Sequence, residues 1–177
     1  MQFVSEKESI SCVILSAGFS SRFGSFKALY NFIGEPLIEH ALSSVSPFCS
    51  EIIIVGGHNF EALESYFDRK KDIILIQNSG YKNGMFTSVK AGTKYVSNSR
   101  FLVLPVDIPF VKQSTIKKLI STPETSKVLI PSYQGKNGHP VLLNEKLKSI
   151  ILSADDNSKL NSLIKSSEWE AIDVEDP

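Results

Sequence analysis

The 177-residue sequence lacks most of the features that mark a specialised chain. It has only two cysteines, Cys12 and Cys49, with no metal-ligand spacing and too few pairs for a disulfide framework. Both are therefore expected to be small buried apolar residues in a reducing compartment. Charge of either sign is not in excess, with 19 Lys and Arg against 19 Asp and Glu and a pI near 6.8. That balance argues against a general nucleic-acid or acidic-membrane binder, so any polyanion must be held locally. No apolar run approaches the ~20 residues that span a bilayer, and residues 1–10 are polar rather than a charged head followed by an apolar segment. A cytoplasmic location is expected. Repeats and low-complexity tracts are absent as well, and the length favours one domain over 1–177 that buries about 70% of its unfolded surface.

Two common glycine-loop motifs are also missing. Gly24 is followed by Ser25, which breaks the P-loop pattern, and no Gly-x-Gly-x-x-Gly occurs to support a nicotinamide oxidoreductase. What is present is a different loop of phosphate-binding composition. Residues 12–15 read as a buried strand that opens into a loop with Gly18, Gly24, several serines, Arg22 and Lys27. Glycines let backbone N–H groups approach an anion, hydroxyls add donors, and two cations offset the charge of a polyphosphate.

Beyond the loop the chain alternates. Helical spacing follows Pro36 through Leu37, Ile38, Ala41, Leu42 and Val45, then come a strand over 52–55, a helix marked by Phe60, Leu63 and Phe67, and a strand over 73–76. A helix is expected over 84–96, where Gly92 costs about 1 kcal/mol relative to alanine and so implies a close packing or ligand contact. Strands over 101–104 and 128–131, a helix over 113–121, helices around 147–151 and 160–164, and a strand over 169–174 complete the chain. Asn137-Gly138 reads as a hairpin turn. The rhythm is that of an α/β protein with a parallel sheet covered on both faces, whose ligands gather at the carboxyl ends of the strands. Asp107, between Pro105 and Pro109 at such an end, is placed to hold a cation. Mg²⁺ accepts one or two carboxylates plus substrate phosphates, so one aspartate suffices as an anchor. His40 and His58 receive no role.

The pattern formed by Leu15, Ala17, Gly18, Ser20, Arg22, Gly24 and Lys27 resembles the signature loop of the MobA/MocA-like nucleotidyltransferases, a family that includes enzymes attaching CMP or GMP to molybdopterin. The resemblance implies a three-layer Rossmann-like fold with a mostly parallel central sheet. It also implies an Mg²⁺-dependent transfer from CTP or GTP to a phosphorylated acceptor such as molybdopterin, with a molybdoenzyme or chaperone as partner and neither nucleic acid nor membrane involved. Arg22, Lys27 and Asp107 would be catalytic, with Asp107 also the metal ligand. Leu15, Ala17, Gly18, Ser20 and Gly24 would bind the nucleotide, joined by Asn78 and Ser88 from a second element that also resembles the family through Gly84, Met85 and Gly92. Gly138, His139 and Asp155 would meet the acceptor. Ala17, where guanylyl enzymes tend to carry glycine, points to CTP.

The sequence departs from the family in two places. The stretch from Ala154 to Lys159 keeps Asp155 of a Gly-Asp-x-Gly-x-Arg element but replaces both glycines and offers Lys159 for arginine, which loses bidentate recognition. An Asp-x-Asp-Thr-like acidic segment is replaced by residues 173–177, where Asp173 or Asp176 would have to substitute from a terminus expected to be mobile. Two alternatives therefore stand beside the main reading: a sugar- or polyol-phosphate nucleotidyltransferase, and a nucleotide-binding sensor or carrier that has lost catalysis.

Overall fold

The structure is a computed structural model and describes residues 9–18, 26–70, 72–123 and 126–177. The strand predicted over 12–15 is β1 (Ile10–Ser16), a run of seven buried residues at the centre of the main sheet. After a 3₁₀ turn (Lys27–Leu29) come a short hairpin of β2 (Asn31–Phe32) and β3 (Glu35–Pro36), then α1 (Leu37–Val45), β4 (Glu51–Gly56), α2 (Phe60–Phe67) and β5 (Ile74–Gln77). A second 3₁₀ turn (Tyr81–Asn83) leads into α3 (Met85–Thr93), β6 (Arg100–Pro105) and α4 (Gln113–Ser121). The chain closes with β7 (Val128–Tyr133), β8 (Lys136–Asn137), β9 (Val141–Asn144), α5 (Glu145–Ser153), α6 (Leu160–Lys165) and β10 (Trp169–Asp173).

The main sheet runs β10-β7-β9-β6-β1-β4-β5, with β8 paired to β7. β1 is parallel to both β4 and β6, β4 to β5, and β7 to β10, while β9 is antiparallel to β6 and β7. The sheet is thus mostly parallel, as expected, and the antiparallel β9 is the addition. Successive side chains point to opposite faces of a strand, and here both faces are apolar. Cys12 and Ile14 join Ile52, Ile54, Leu102 and Leu104 beneath α1, α2 and α4. Val13 and Leu15 join Ile53, Val55, Phe101 and Val103 beneath α3, α5 and α6. Helices cover both faces, which is the three-layer arrangement. Among the described residues no helix is long and apolar enough to cross a membrane.

Both cysteines are buried. The Cys12 thiol is held well above its ordinary pKa by its hydrogen bond with Cys49 and by burial, so it stays protonated and behaves as a packing residue.

Two local expectations need correction, and one hairpin was not expected. The hairpin turn falls at Gln134-Gly135, not at Asn137-Gly138. Gln134 and Gly135 have φ of 49° and 76°, the two positive values a type I′ turn requires, and Tyr133 pairs with Lys136 across it. Asn137 instead lies extended opposite Ser132, and Gly138 N–H donates to Pro131 O at 2.8 Å. The β2–β3 hairpin turns through Ile33 and Gly34, with φ of 54° and 90°, in a stretch that carried no strand signal. Helix α3 ends at Thr93 rather than at 96, where a turn closed by Val96 N–H on Thr93 O takes over.

Gly92 fulfils its expectation of close packing. A Cβ added there would sit 2.4 Å from Val13 Cγ1 and 2.8 Å from Val55 Cγ2, so α3 rests directly on β1 and β4. Replacing Gly92 with alanine forces that contact open, and a loss of about 1–3 kcal/mol is expected in urea unfolding, the usual cost of overpacking; an unchanged midpoint would show that α3 sits further from the sheet.

Candidate functional site

β1 and β6 lie side by side with Leu15 opposite Pro105, so both chains leave the sheet at the same edge. Val106 N–H donates to Leu15 O at 3.0 Å, carrying the ladder one step past the strand. A turn closed by Ile108 N–H on Pro105 O (3.1 Å) then presents Asp107 outward. From the other side, the 3₁₀ turn after the first loop buries Ala28 and brings Lys27 back over the same edge. Lys27 Nζ lies 3.7 Å from Asp107 Oδ2, with the two side chains 29% and 55% exposed. Two residues eighty positions apart are thus brought together in one cleft.

That cleft has a volume of about 410 Å³. Leu15, Ala17, Gly18, Lys27, Ser88 and Asp107 line it, together with Ser16, Phe26, Tyr81, Lys82, Gly84 and Met85. Ser20, Arg22 and Gly24 lie outside the described residues. The approach of the far wall depends on Gly57, where a Cβ would stand 2.7 Å from Tyr81 and 2.9 Å from the Ala17 Cβ. The need for glycine at 57 comes from a contact between three separate segments. Lys82, a second cation on this wall with its Nζ 6.0 Å from the centre of the Tyr81 ring, was not marked in the sequence because no motif surrounds it.

Asn78 was expected to line the nucleotide pocket. The structure turns it inward instead. Its Nδ2 donates to Thr87 Oγ1 and Ser88 Oγ, both at 2.9 Å, and its Oδ1 accepts from Gly80 N–H at 2.9 Å. The residue is buried and absent from the cleft wall. It ties the end of β5 to the start of α3 and holds Ser88 in place. Gly84, with φ of 112°, supplies the left-handed backbone that starts α3 at the wall.

Gly84 and Met85 also border a second cavity of about 610 Å³ on the α3 side, lined by Gly138, His139, Asp156 and Lys159 among others. A third, of about 500 Å³, shares Gly138 and His139 with it and extends to Phe110, Tyr133 and Asp176. His139 therefore stands between two cavities. Burial lowers its pKa below the ordinary value, and the Asp107 carboxylate partly opposes the shift, so the imidazole is neutral at neutral pH.

Asp155 lies away from these walls. Its carboxylate accepts from Asn157 N–H at 2.8 Å and Asn157 Nδ2 at 3.0 Å, closing a local turn. The neighbouring Asp156 reaches the cavity and is held by Lys90 Nζ at 2.9 Å. The C-terminal residues are docked rather than loose. Val174 N–H donates to Ser132 O at 2.8 Å, and Asp176 Oδ2 accepts from Lys112 N–H at 2.9 Å and Thr115 Oγ at 2.8 Å, capping α4. Asp176 is committed to that cap, and Asp173 is exposed on β10.

Residues 12–172 match the model described as the MobA-like NTP transferase domain. The chain belongs to that family. Within the MobA-like relatives it is 29% identical over 136 residues to the molybdenum cofactor cytidylyltransferase of Escherichia coli, covering 77% of this chain and 70% of that protein. It is 27% identical over 139 residues to the molybdenum cofactor guanylyltransferase of Shewanella piezotolerans, covering 76% and 65%. A GlmU protein of Nitratiruptor is 26% identical over 155 residues, but this chain spans only 36% of its length. A nucleotidyl transferase from Methanothermobacter superposes with a TM-score of 0.80 at 21% identity, over 96% of this chain and 89% of that one. The fold is that of the nucleotidyltransferases.

Asn78→Ala removes the tie between β5 and α3, and a loss of about 1–3 kcal/mol is expected in denaturant unfolding from the polar groups left without partners. The lowered pKa of His139 has a definite sign in stability. The unfolded imidazole binds a proton below about 6.5, the folded one only at lower pH, so folding stability falls as pH drops through that interval. His139→Asn should remove this part of the dependence, as read from melting temperatures between about pH 7 and pH 5.

Proposed function

We propose that the protein transfers a nucleoside monophosphate from an NTP to a phosphorylated acceptor and releases pyrophosphate. The observation that carries this reading is the Lys27–Asp107 pair at 3.7 Å, in a cleft at the carboxyl edge of β1 and β6 that borders a second cavity through Gly84 and Met85. A cation and an exposed carboxylate side by side are what a triphosphate and its counter-ion need. The acceptor's terminal phosphate oxygen bonds to the α-phosphorus as the bond from that phosphorus to the β-phosphate bridging oxygen breaks, and the electron pair leaves with pyrophosphate. Lys27, with Arg22, offsets charge on the transferring and leaving groups, and the amides of the loop from Ala17 to Gly24 hold the β- and γ-phosphates. Ser88, positioned by Asn78, lies on the nucleoside side.

Asp107 suits Mg²⁺: it is one hard oxygen donor, exposed enough to share an ion with substrate phosphates and water. Bound there, Mg²⁺ would neutralise phosphate charge. Among the described residues there is no group of three or more His, Cys, Asp or Glu side chains that could hold a metal ion.

CTP is favoured by Ala17 and by the likeness to a cytidylyltransferase. Molybdopterin is the acceptor favoured by both the cytidylyl and guanylyl relatives, and its place is the larger cavity beside Gly138 and His139. Asp156 rather than Asp155 is the carboxylate offered there. A domain of this kind over 1–177 would act on soluble substrates, with a molybdoenzyme or its chaperone receiving the product.

Pyrophosphate release should be measured with CTP and GTP against molybdopterin, a sugar phosphate and a polyol phosphate. Turnover with CTP and molybdopterin is expected. Turnover only with another acceptor would reassign the substrate, and tight nucleotide binding without any pyrophosphate would identify a binding protein. Lys27→Ala should lower turnover by roughly 10²–10³ with the fold intact, the cost of deleting one transition-state donor; wild-type turnover would remove Lys27 from the mechanism.

A further inference from the structure

Ser16 is the last residue of β1 and part of the cleft wall. It is 3% exposed, and among the described residues its Oγ meets no hydrogen-bond partner. Buried hydroxyls are nearly always paired, so an orphan in the wall of a cleft calls for a partner beyond the described residues, and a ligand in the cleft can supply it. Strand alternation says which part of a ligand that is. Ser16 continues the row of Cys12 and Ile14, the face that packs with Ala28, whose neighbour Lys27 lines the same cleft. Leu15 points the other way, toward Phe86 and Val89 of α3. The Lys27 ammonium in that cleft attracts anionic oxygen, and a serine hydroxyl donates to it.

We infer that Ser16 is a ligand-binding residue whose hydroxyl donates to a phosphate oxygen of the bound nucleotide. This rests on the nucleotide reading of the cleft and adds a donor that the glycine-serine-lysine pattern did not include. Free of ligand, the hydroxyl contributes nothing to stability; bound, it fixes the phosphate chain against β1.

The test compares wild type, Ser16→Ala and Ser16→Cys by calorimetric titration with CTP, GTP and inorganic tripolyphosphate, with cytidine and guanosine as controls, and by thermal unfolding without ligand. Ser16→Ala should weaken the triphosphate-bearing ligands about 10- to 100-fold, the range for a hydrogen bond to a charged group. Its melting temperature without ligand should be unchanged or higher, and Ser16→Cys, a weaker donor, should fall between. Equal affinity for the alanine variant, a loss confined to the nucleosides, or a lower melting temperature without ligand would each overturn the inference while leaving the nucleotide site standing. Failure of wild type to bind any nucleotide would overturn the inference and the proposed function together.

Discussion

The structure depends on the parallel register of β1 against β6. With Leu15 opposite Pro105 and the ladder extended by Val106, the first loop and the Asp107 turn leave the sheet together. Move either strand by two residues and Lys27 no longer meets Asp107. That register is fixed by burial on both faces, because a slip of one residue would exchange Cys12 and Ile14 with Val13 and Leu15 between two different helical layers. The weak surface ion pair is worth little by itself. Its place is set by the core beneath it.

A second constraint shapes the rest of the carboxyl edge. Gly92 lets α3 rest on β1 and β4, Gly57 lets Tyr81 close on Ala17, and Asn78 joins the intervening segments. Together they bring Gly84 and Met85 to a position shared by the Lys27–Asp107 cleft and the larger cavity. The two cavities thus meet at a shared wall, which is the arrangement the proposed transfer requires.

Much of this was legible in the chain because the signals were local. The apolar strands and the 3.6-residue spacing of α4 follow from side-chain order, and α4 spans the expected residues. Gly92 announced a close contact because glycine in a helix has a cost. The turn at Gln134-Gly135 was missed because Asn137-Gly138 offers the same chemistry three residues later, and only the pairing of Ser132 with Asn137 decides between them. Asn78 and Asp155 illustrate a different limit. A side-chain amide or carboxylate can serve a ligand or its own backbone, and sequence does not show which; here Asn78 ties a junction and Asp155 closes a turn. The docked end of the chain was unreadable for a similar reason, since Asp176 caps a helix more than fifty residues away in sequence. Lys82 and Ser16 carry no motif and become visible only as walls of a cavity.

The central claim is that the edge above β1 and β6 grips a triphosphate between Lys27 and an ion held by Asp107. A crystal structure of the protein with CTP and Mg²⁺ tests it most directly. Phosphate density beside Lys27, with the Asp107 carboxylate turned to the ion and the nucleoside toward Ser88, is the predicted result. Nucleotide bound elsewhere on the protein, with no phosphate or ion at Lys27 and Asp107, would contradict it.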